Sequence, residues 1–167
     1  MKNILISGGA GFIGSHLTEH FLKKGSAVWV IDNFLTSHSN NIKRLKKYPH
    51  FHFIQADLLQ IDLKSSLNDI CFDIIYHLAS PASPVQYIRY STETLRVNSE
   101  GTYRLLEFSR LMPSTRFIYA STSEIYGDPL EHPQKENYWG NVNPVGERAC
   151  YDEAKRFGEA LCMTYIR

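Results

Sequence analysis

The sequence predicts an α/β fold built on a doubly wound parallel sheet, and three observations support this. Short apolar runs alternate with stretches of helical spacing along the chain. A cluster of glycines stands directly after the first apolar run, and an acidic residue ends the second. Right-handed crossovers join alternating strands and helices into one sheet with helices on both faces.

Length and composition restrict the class of protein. The 167 residues predict one domain, and 43% hydrophobic with 21% charged residues is typical of a soluble globular protein. The net charge of +1 provides no surface for nucleic acid or an anionic membrane, and no apolar run is long enough to cross a bilayer. Cys71, Cys150 and Cys162 lack metal or redox spacing. They predict reduced, partly buried thiols in a cytoplasmic protein with no metal site.

The first element combines a strand, a glycine turn and a helix. Gly8, Gly11 and Gly14 follow the apolar run Ile4–Ile6. Glycines allow a tight turn, let backbone N–H groups approach a pyrophosphate, and let the helix lie close to the strand. The spacing therefore predicts a Rossmann-like dinucleotide-binding crossover. The alternative is an ordinary tight turn that binds nothing.

The next helix and strand support the same interpretation. The helix is expected over Phe12–Lys24 and ends at Gly25. Its period places five side chains on one face: Phe12, Ile13, Leu17, Phe21 and Leu22. The second strand, Ala27–Ile31, ends in Asp32, about twenty residues beyond the glycines, where an acid can bond the ribose hydroxyls. Without a neighbouring arginine, Asp32 favours NAD over NADP.

The remaining elements follow in order. Further strands are expected at Phe51–Gln55, Asp73–Leu78 and Arg116–Ala120, and helices at Ile61–Ile70 and Thr92–Leu111, the second ended by Met112-Pro113. The polar segment Asn33–Asn41 is expected over the adenosine end of the cofactor. The basic residues after it predict a solvated helix face: Lys43, Arg44, Lys46 and Lys47. Gly127–Gly146 is predicted to be a long loop inside the domain.

Residues at the carboxyl ends of the strands are cofactor-binding candidates, because open parallel sheets bind ligands there. Asp57 and Leu58 follow the third strand and can hold the adenine. The two prolines of Ala79–Pro84 predict an extended loop after the fourth strand. The predicted cofactor-binding residues in this part of the chain are Gly8, Gly11, Phe12, Ile13, Gly14, Asp32, Asn33, Asp57, Leu58, Leu78, Ala79 and Ser80.

A second group of polar residues lies near the C-terminus. Tyr151-x-x-x-Lys155 opens the last predicted helix, where this spacing puts both side chains on one face. A lysine ammonium beside a phenol favours the phenolate, which can act as a base near neutral pH. Hydroxyls from Ser121–Ser123, at the end of the fifth strand, can hold a substrate alcohol against that phenol. A Tyr-x-x-x-Lys pair alone is common on surface helices. In a chain that also contains a dinucleotide-binding motif, it is specific evidence for this chemistry.

These motifs resemble the N-terminal part of an extended short-chain dehydrogenase/reductase, and within that superfamily the UDP-glucuronate decarboxylase (UDP-xylose synthase) family. The glycines and the Tyr151–Lys155 pair form the general signature. The narrower match lies in three blocks: His77–Pro84, Ser121–Pro129, and Tyr138–Pro144 running on to Arg148–Glu153. The resemblance spans essentially all 167 residues. Ser37 and Ala154 stand where the family often has glycine, at positions that carry no chemistry.

The resemblance implies a redox-neutral cycle on one bound NAD, which converts UDP-glucuronate to UDP-xylose through a 4-keto sugar. Tyr151 would take the proton from the sugar 4-hydroxyl. Lys155 would support Tyr151 and hold the nicotinamide ribose, so both residues are cofactor-binding as well as catalytic candidates. Thr122 would hydrogen-bond the same sugar oxygen.

The family match also implies roles around the carboxylate of the substrate. Ser123 and Glu124 would assist decarboxylation and reprotonation, with a solvated loop carboxylate as the alternative for Glu124. Ser83, Tyr87 and Glu124 are substrate-binding candidates. Arg148 pairs either with a substrate anion or with a neighbouring acid, and the sequence does not decide between them.

The family match sets the expected extent and assembly of the protein. Residues 1–167 are expected to form an incomplete NAD-binding domain that ends within the Tyr151–Lys155 helix. The later strands and a small substrate domain would then be missing, and this chain alone would be inactive. A homodimer is expected through the helices near Thr92–Leu111 and Cys150–Arg167. The alternatives are a nucleotide-sugar 4,6-dehydratase or 4-epimerase, and a non-catalytic NAD-binding module or truncated remnant.

Overall fold

The computed structural model describes residues 1–67 and 70–167, and a parallel sheet forms its centre. The strands are β1 Asn3–Ser7, β2 Ala27–Asp32, β3 Phe51–Gln55, β4 Ile74–His77 and β5 Arg116–Tyr119. They lie in the order β3-β2-β1-β4-β5, and every pairing is parallel. The strand order reverses between β1 and β4, which is the ligand-binding position in doubly wound sheets. The predicted fold class is confirmed.

Helices cover both faces of this sheet. Their bounds are α1 Phe12–Lys23, α2 Ser39–Lys43, α3 Leu63–Ser66, α4 Pro84–Arg89, α5 Ser91–Arg96, α6 Thr102–Ser109 and α7 Ala149–Ile166. A π-helical turn, Val97–Gly101, joins α5 to α6, and a 3₁₀ turn, Ser123–Tyr126, follows β5. The long helix predicted over Thr92–Leu111 is therefore one helical run with a π-helical turn inside it.

The core is built in two layers around the central strands. Ile4, Leu5 and Ile6 are fully buried, because β1 is covered on both faces. Leu5 packs with the side chains of one layer, including Leu105 and Phe108 of α6. Ile4 and Ile6 point to the other face and pack with residues beside α1 and α2. The sheet is held between these two apolar layers.

The predicted apolar face of α1 is wrong in its first turn. Phe12 is 79% exposed and Ile13 is 67% exposed. A Cβ atom on Gly14 would collide with the Gly8 carbonyl oxygen, so only a glycine lets α1 lie this close to β1. From Gly14 the buried side continues through Ser15, Thr18 and Leu22. The glycine contact, rather than the apolar spacing, therefore sets the rotation of α1.

Three further predictions are corrected or limited by the structure. Pro84 begins α4 instead of extending the loop before it, because proline is tolerated in the first helical turn. The helix predicted over Ile61–Ile70 is observed only over Leu63–Ser66, and positions 68 and 69 lie outside the described residues. Cys71 is exposed, whereas the thiols were predicted to be partly buried.

Two other local predictions can be compared with the structure. Lys43, Arg44, Lys46 and Lys47 are all exposed, as predicted, but α2 ends at Lys43, so the four residues do not form one helix face. The segment from 127 to 146 forms the predicted long loop. Across the described parts of the chain, no helix combines the length and the apolar character needed to span a membrane.

Candidate cofactor and active site

The glycine turn brings three segments together at the carboxyl edge of the sheet. Gly8 has a φ of +77°, a conformation that side chains rarely adopt, and its N–H donates to the Ile31 carbonyl oxygen at 2.8 Å. A Cβ atom on Gly8 would lie 2.6 Å from the Ala79 nitrogen. Glycine at this position therefore lets β1, β2 and the loop after β4 meet at one place.

The N-terminus of α1 is open toward this turn. Its N-cap residue is Gly11, and no side chain caps the first turn. The unpaired N–H groups of a helix N-terminus and its positive dipole attract phosphate oxygens. The predicted residues Phe12, Ile13 and Gly14 therefore have backbone N–H groups available for a pyrophosphate, although the side chains of Phe12 and Ile13 point outward.

Asp32 is fixed at the end of β2 by three hydrogen bonds. Its Oδ2 accepts from the Ala10 N–H at 2.9 Å, and its Oδ1 accepts from the Phe34 N–H and the Ser37 hydroxyl, each at 2.8 Å. The carboxylate thus joins the glycine turn to the loop after β2. Ser37 orients the Asp32 carboxylate. The sequence analysis placed Ser37 among the positions that carry no chemistry, so this role was not predicted.

A cavity of about 320 Å³ runs along this edge of the sheet. The predicted cofactor-binding residues that line it are Gly8, Gly11, Asp32, Asn33, Asp57, Leu58, Leu78, Ala79 and Ser80. Glu93 also lines the cavity and was not predicted. Among the described residues, the lining of the cavity contains three carboxylates and no lysine or arginine. Phosphate groups here would therefore depend on backbone N–H groups rather than on side-chain cations. Phe12, Ile13, Gly14, Tyr151 and Lys155 are not part of this lining.

The π-helical turn packs against residues that line the cavity. Asn98 is fully buried, and its amide nitrogen donates to the Ser80 hydroxyl and to the Thr94 carbonyl, both at 2.8 Å. Its Oδ1 has no hydrogen-bond partner among the described residues. A Cβ atom on Gly101 would lie 3.2 Å from the Leu58 side chain. The turn therefore contacts two cofactor-binding candidates, Ser80 and Leu58. An asparagine within a predicted helical run was the available sequence signal.

His77 joins the central strands to the same turn. Its Nδ1 lies 2.8 Å from the Ser7 hydroxyl, and its Nε2 lies 3.3 Å from the Val97 carbonyl oxygen. Burial, together with the nearby positive charge of Lys155, lowers the pKa of His77 to about 3. The imidazole is therefore neutral at physiological pH. With Nε2 donating to Val97, Nδ1 accepts from Ser7.

Tyr151 and Lys155 lie together on α7, as predicted. Both side chains are buried, at 6% and 4% exposure respectively. The Lys155 Nζ donates to the Ala120 carbonyl oxygen at 2.6 Å and lies 5.9 Å from the centre of the Tyr151 ring. Burial lowers the pKa of Lys155 to about 8. This pair is therefore held against the end of β5, where the ammonium can stabilise negative charge on the phenol oxygen.

The residues after β5 form a turn beside α7. The Thr122 hydroxyl accepts from the Glu124 N–H at 3.3 Å and caps the 3₁₀ turn that contains Ser123 and Glu124. Arg148 forms an ion pair with Glu124, and its Nη2 lies 4.0 Å from the Asp152 Oδ1. In this structure Arg148 thus pairs with neighbouring acids, one of the two possibilities that the sequence left open.

The two substrate-side candidates differ in their surroundings. Ser83 is exposed just before α4. Tyr87 is only 1% exposed, and its ring stacks on that of Tyr151 with centres 4.7 Å apart and planes 6° apart. The described residues hold no group of three or more His, Cys, Asp or Glu side chains arranged to bind a metal ion.

Comparison with known proteins places this chain in a family that includes sugar-nucleotide enzymes. The family model described as GDP-mannose 4,6 dehydratase matches residues 5–167. UDP-glucuronic acid decarboxylase 1 of Arabidopsis thaliana is 49% identical over 98% of this chain and 36% of its own length. UDP-glucuronic acid decarboxylase 1 of Danio rerio is 46% identical over 99% of this chain and 38% of its own length. The chain thus spans well under half the length of these relatives.

Solved structures show the same architecture. UDP-glucuronic acid 4-epimerase from Bacillus cereus, in complex with NAD, has a TM-score of 0.79 and 34% identity over 98% of this chain and 52% of its own. The UDP-Glc/GlcNAc 4-epimerase from Campylobacter jejuni has a TM-score of 0.84 and 28% identity over 99% of this chain and 49% of its own. The family match, these relatives and the motifs agree. The chain belongs to the GDP-mannose 4,6 dehydratase family, within the extended short-chain dehydrogenases/reductases.

Proposed function

We propose that this chain is the NAD-binding part of an enzyme that decarboxylates UDP-glucuronate to UDP-xylose. The observation that carries the proposal is the placement of Glu124 in the turn after β5, beside the helix that holds Tyr151 and Lys155. An acid in this position is not needed for simple epimerisation at the 4-carbon. The relatives named UDP-glucuronic acid decarboxylase support the same reaction.

The residues at the carboxyl edge fit NAD. Backbone N–H groups at the start of α1 would hold the pyrophosphate, and Asp32 would accept hydrogen bonds from the adenosine ribose. Asp57 and Leu58 would hold the adenine, and Lys155 the nicotinamide ribose. Asn98 donates a hydrogen bond to the Ser80 hydroxyl, one of the polar groups that line this cavity. NAD, when bound, supplies a reversible hydride acceptor for the 4-carbon of the sugar.

The side chains near α7 would carry the proton transfers. Tyr151 would accept the proton of the sugar 4-hydroxyl while Thr122 donates to the same oxygen, and the Lys155 ammonium would stabilise the phenolate. Oxidation at the 4-carbon places a ketone β to the carboxylate, so carbon dioxide can leave with the electron pair delocalised as an enolate. Ser123 and Glu124 would assist this loss and the return of a proton to the 5-carbon. Tyr151 would then return its proton to the 4-oxygen as the ketone is reduced.

The Arg148 guanidinium lies beside Glu124 and close to Asp152. In the resting site Arg148 would thus hold Glu124 in place at the turn. Ser83 and Tyr87 remain the substrate-side predictions.

The proposal includes a homodimer and a cytoplasmic location. Large apolar side chains lie exposed along α5, α6 and α7, including Leu95, Tyr103, Phe157 and Met163. Such a surface is suited to a helical interface between two copies of the chain. Sedimentation equilibrium would test the dimer, with Phe157→Glu as a disrupting variant. The cytoplasmic location is a prediction from the free cysteines.

A UDP-glucuronate 4-epimerase is the second candidate, because the B. cereus enzyme with that activity shares this fold at 34% identity. The two reactions differ in the fate of the substrate carboxyl group. UDP-glucuronate labelled with ¹⁴C at that carboxyl is incubated with the protein and NAD. Decarboxylation predicts labelled carbon dioxide and unlabelled UDP-xylose, and Glu124→Gln should lower both. Label retained in the 4-epimer would support the epimerase instead. NAD binding without turnover would support a non-catalytic NAD-binding module.

A further inference from the structure

We infer that Tyr119 is a positioning residue for Lys155, and that the face of its aromatic ring holds the Lys155 ammonium at the end of β5. The Lys155 Nζ lies 4.9 Å from the centre of the Tyr119 ring, which is within the range of a cation–π contact. The role in catalysis rests on the proposed function, whereas the contact between the ring and the ammonium does not.

Lys155 needs such a partner because its charge is held away from water. The side chain is buried, and it forms no ion pair with a carboxylate of the described residues. Its Nζ donates to the Ala120 carbonyl oxygen, which occupies one of the three donors of an ammonium. The electron-rich face of an aromatic ring stabilises a desolvated cation more strongly than an exposed one. Tyr119 and Ala120 are adjacent, so two consecutive residues hold the same ammonium.

Gly158 makes room for the ring on the side of α7. It stands three residues after Lys155, so both lie on one face of the helix. A Cβ atom at Gly158 would collide with the ring and the hydroxyl oxygen of Tyr119. That hydroxyl is buried and has no hydrogen-bond partner among the described residues, whereas the ring has the ammonium beside it. Glycine at this position therefore lets the ring lie against the helix next to Lys155.

Four other titratable groups surround this contact. On β4, His77 pairs with Tyr119 in the sheet, and the two ring centres lie 5.7 Å apart. On α7, the centre of the Tyr151 ring lies 5.9 Å from the same ammonium, and Cys162 and Glu159 are near the Tyr119 hydroxyl. Burial raises the pKa of both the Tyr119 phenol and the Cys162 thiol. Because the variants below keep all four groups, a change in the ammonium reports on the ring.

The contact has a consequence for the charge of Lys155. Burial lowers its pKa to about 8, so the ammonium is close to losing its proton near neutral pH. A desolvated cation–π contact is strong enough to raise the pKa of an ammonium by about one unit. Without the ring, about half of the protein would therefore lack this charge at pH 7. In the proposed reaction the Tyr151 phenolate would lose its support in that fraction, and kcat would begin to fall about one pH unit lower on the alkaline side.

The first test measures the charge of Lys155 without reference to activity. The lysine side chains are labelled with ¹³C at Cε, the Lys155 signal is assigned with Lys155→Arg, and its chemical shift is followed against pH by NMR. The double variant Tyr119→Leu, Gly158→Ala removes the ring and fills part of its space. It should lower the pKa of Lys155 by about one unit, while Tyr119→Phe keeps the ring and should leave that pKa within about 0.3 units.

Phe117→Leu is the matched control for the loss of an aromatic ring. Phe117 is partly buried on β5, two residues before Tyr119 and therefore on the same face of the strand. Its replacement should leave the pKa of Lys155 unchanged. Tyr119→Met replaces the double variant if that variant does not melt cooperatively.

Three results would overturn the inference. The first is a pKa of Lys155 that stays the same or rises when the ring is removed. The second is an equal decrease in Phe117→Leu, since the effect would then come from packing in general. The third is an equal decrease in Tyr119→Phe, since the hydroxyl would then carry the effect.

The second test is kinetic and uses a protein preparation in which turnover has been demonstrated. In the variant without the ring, the alkaline limb of kcat should lie about one pH unit lower, while KM at pH 6 stays within about twofold. An alkaline limb at the same pH as in the unsubstituted protein would overturn the catalytic role of Tyr119. Absence of turnover in the unsubstituted protein would refute the proposed function and leave the NMR result standing.

Discussion

Lys155 should make the folded protein less stable at neutral pH, because its ammonium is held away from water. Burial lowers the pKa of Lys155 from 10.5 to about 8, and one pKa unit corresponds to about 1.4 kcal/mol. Charging Lys155 in the folded state therefore costs about 3 kcal/mol relative to the unfolded chain. Replacing Lys155 with methionine removes this cost. It also leaves the Ala120 carbonyl oxygen without its 2.6 Å hydrogen bond, a loss of about 1 kcal/mol. The Lys155→Met variant should therefore be about 2 kcal/mol more stable at pH 7.

The sign of the pH dependence follows from proton binding. Between pH 8 and 10.5 the unfolded chain holds a proton on Lys155 that the folded chain has lost. Stability of the unsubstituted protein therefore rises with pH in this window through this group. The advantage of Lys155→Met should accordingly shrink from pH 8 upward and vanish near pH 10. The variant should also lose the proposed activity, which would be a trade-off between stability and function.

Urea unfolding followed by tryptophan fluorescence at pH 7, 8, 9 and 9.5 measures this difference. The other titratable groups are common to both proteins, so the difference between the two free energies of unfolding isolates Lys155. Lys155→Arg is the matched control, because it keeps a charge at the site and should show no stability gain. An advantage that is independent of pH would refute the reasoning. So would a Lys155→Met variant that is less stable than the unsubstituted protein at pH 7.

Three further predictions concern other parts of the site. Gly158→Ala should lower the free energy of unfolding by about 1–3 kcal/mol, because its Cβ would collide with the Tyr119 ring. Adding Tyr119→Leu to this variant should restore the thermal midpoint. A midpoint that stays low in the double variant would contradict this contact. Asp32→Asn should weaken NAD binding at least tenfold in calorimetry, because the carboxylate both orients the turn and faces the cavity; an unchanged Kd would place the cofactor elsewhere. Acid should destabilise the protein through His77, because its pKa is about 3 in the folded state and 6.5 ordinarily. As the pH falls from 6.5 to 3, the unfolded state binds a proton that the folded state does not, so the free energy of unfolding decreases. His77→Gln should flatten that part of the urea-derived stability curve, and an equally steep curve would exclude His77 as its source.

The strands and the cofactor edge could be predicted because their signals are local. β3 matches its predicted range in full, since five consecutive residues with strand character are bounded by turns. Gly8 and Asp32 belong to a short ordered pattern whose spacing already contains the geometry of the turn. Each of these features depends on neighbours close in sequence, so one chain suffices to identify them.

The features that sequence reasoning missed depend on contacts between distant segments. Phe12 and Ile13 looked like core residues by helical period, but the contact of Gly14 with Gly8 rotates α1 and turns them outward. The π-helical turn around Asn98 interrupts a run that reads as continuous helix. Tyr87 and Tyr151 are far apart in sequence and meet only when α4 packs on α7. No periodicity encodes such a pair.

The central claim is that the carboxyl edge of this sheet binds NAD, and a thermal melt with and without NAD tests it most directly. A ligand at 100 times its Kd stabilises the folded state by about 2.7 kcal/mol. For a chain of this size that corresponds to a rise in Tm of roughly 5–10 °C. We predict a cooperative transition that NAD raises by this amount and NADP raises far less. A transition that does not move with saturating NAD would contradict the account.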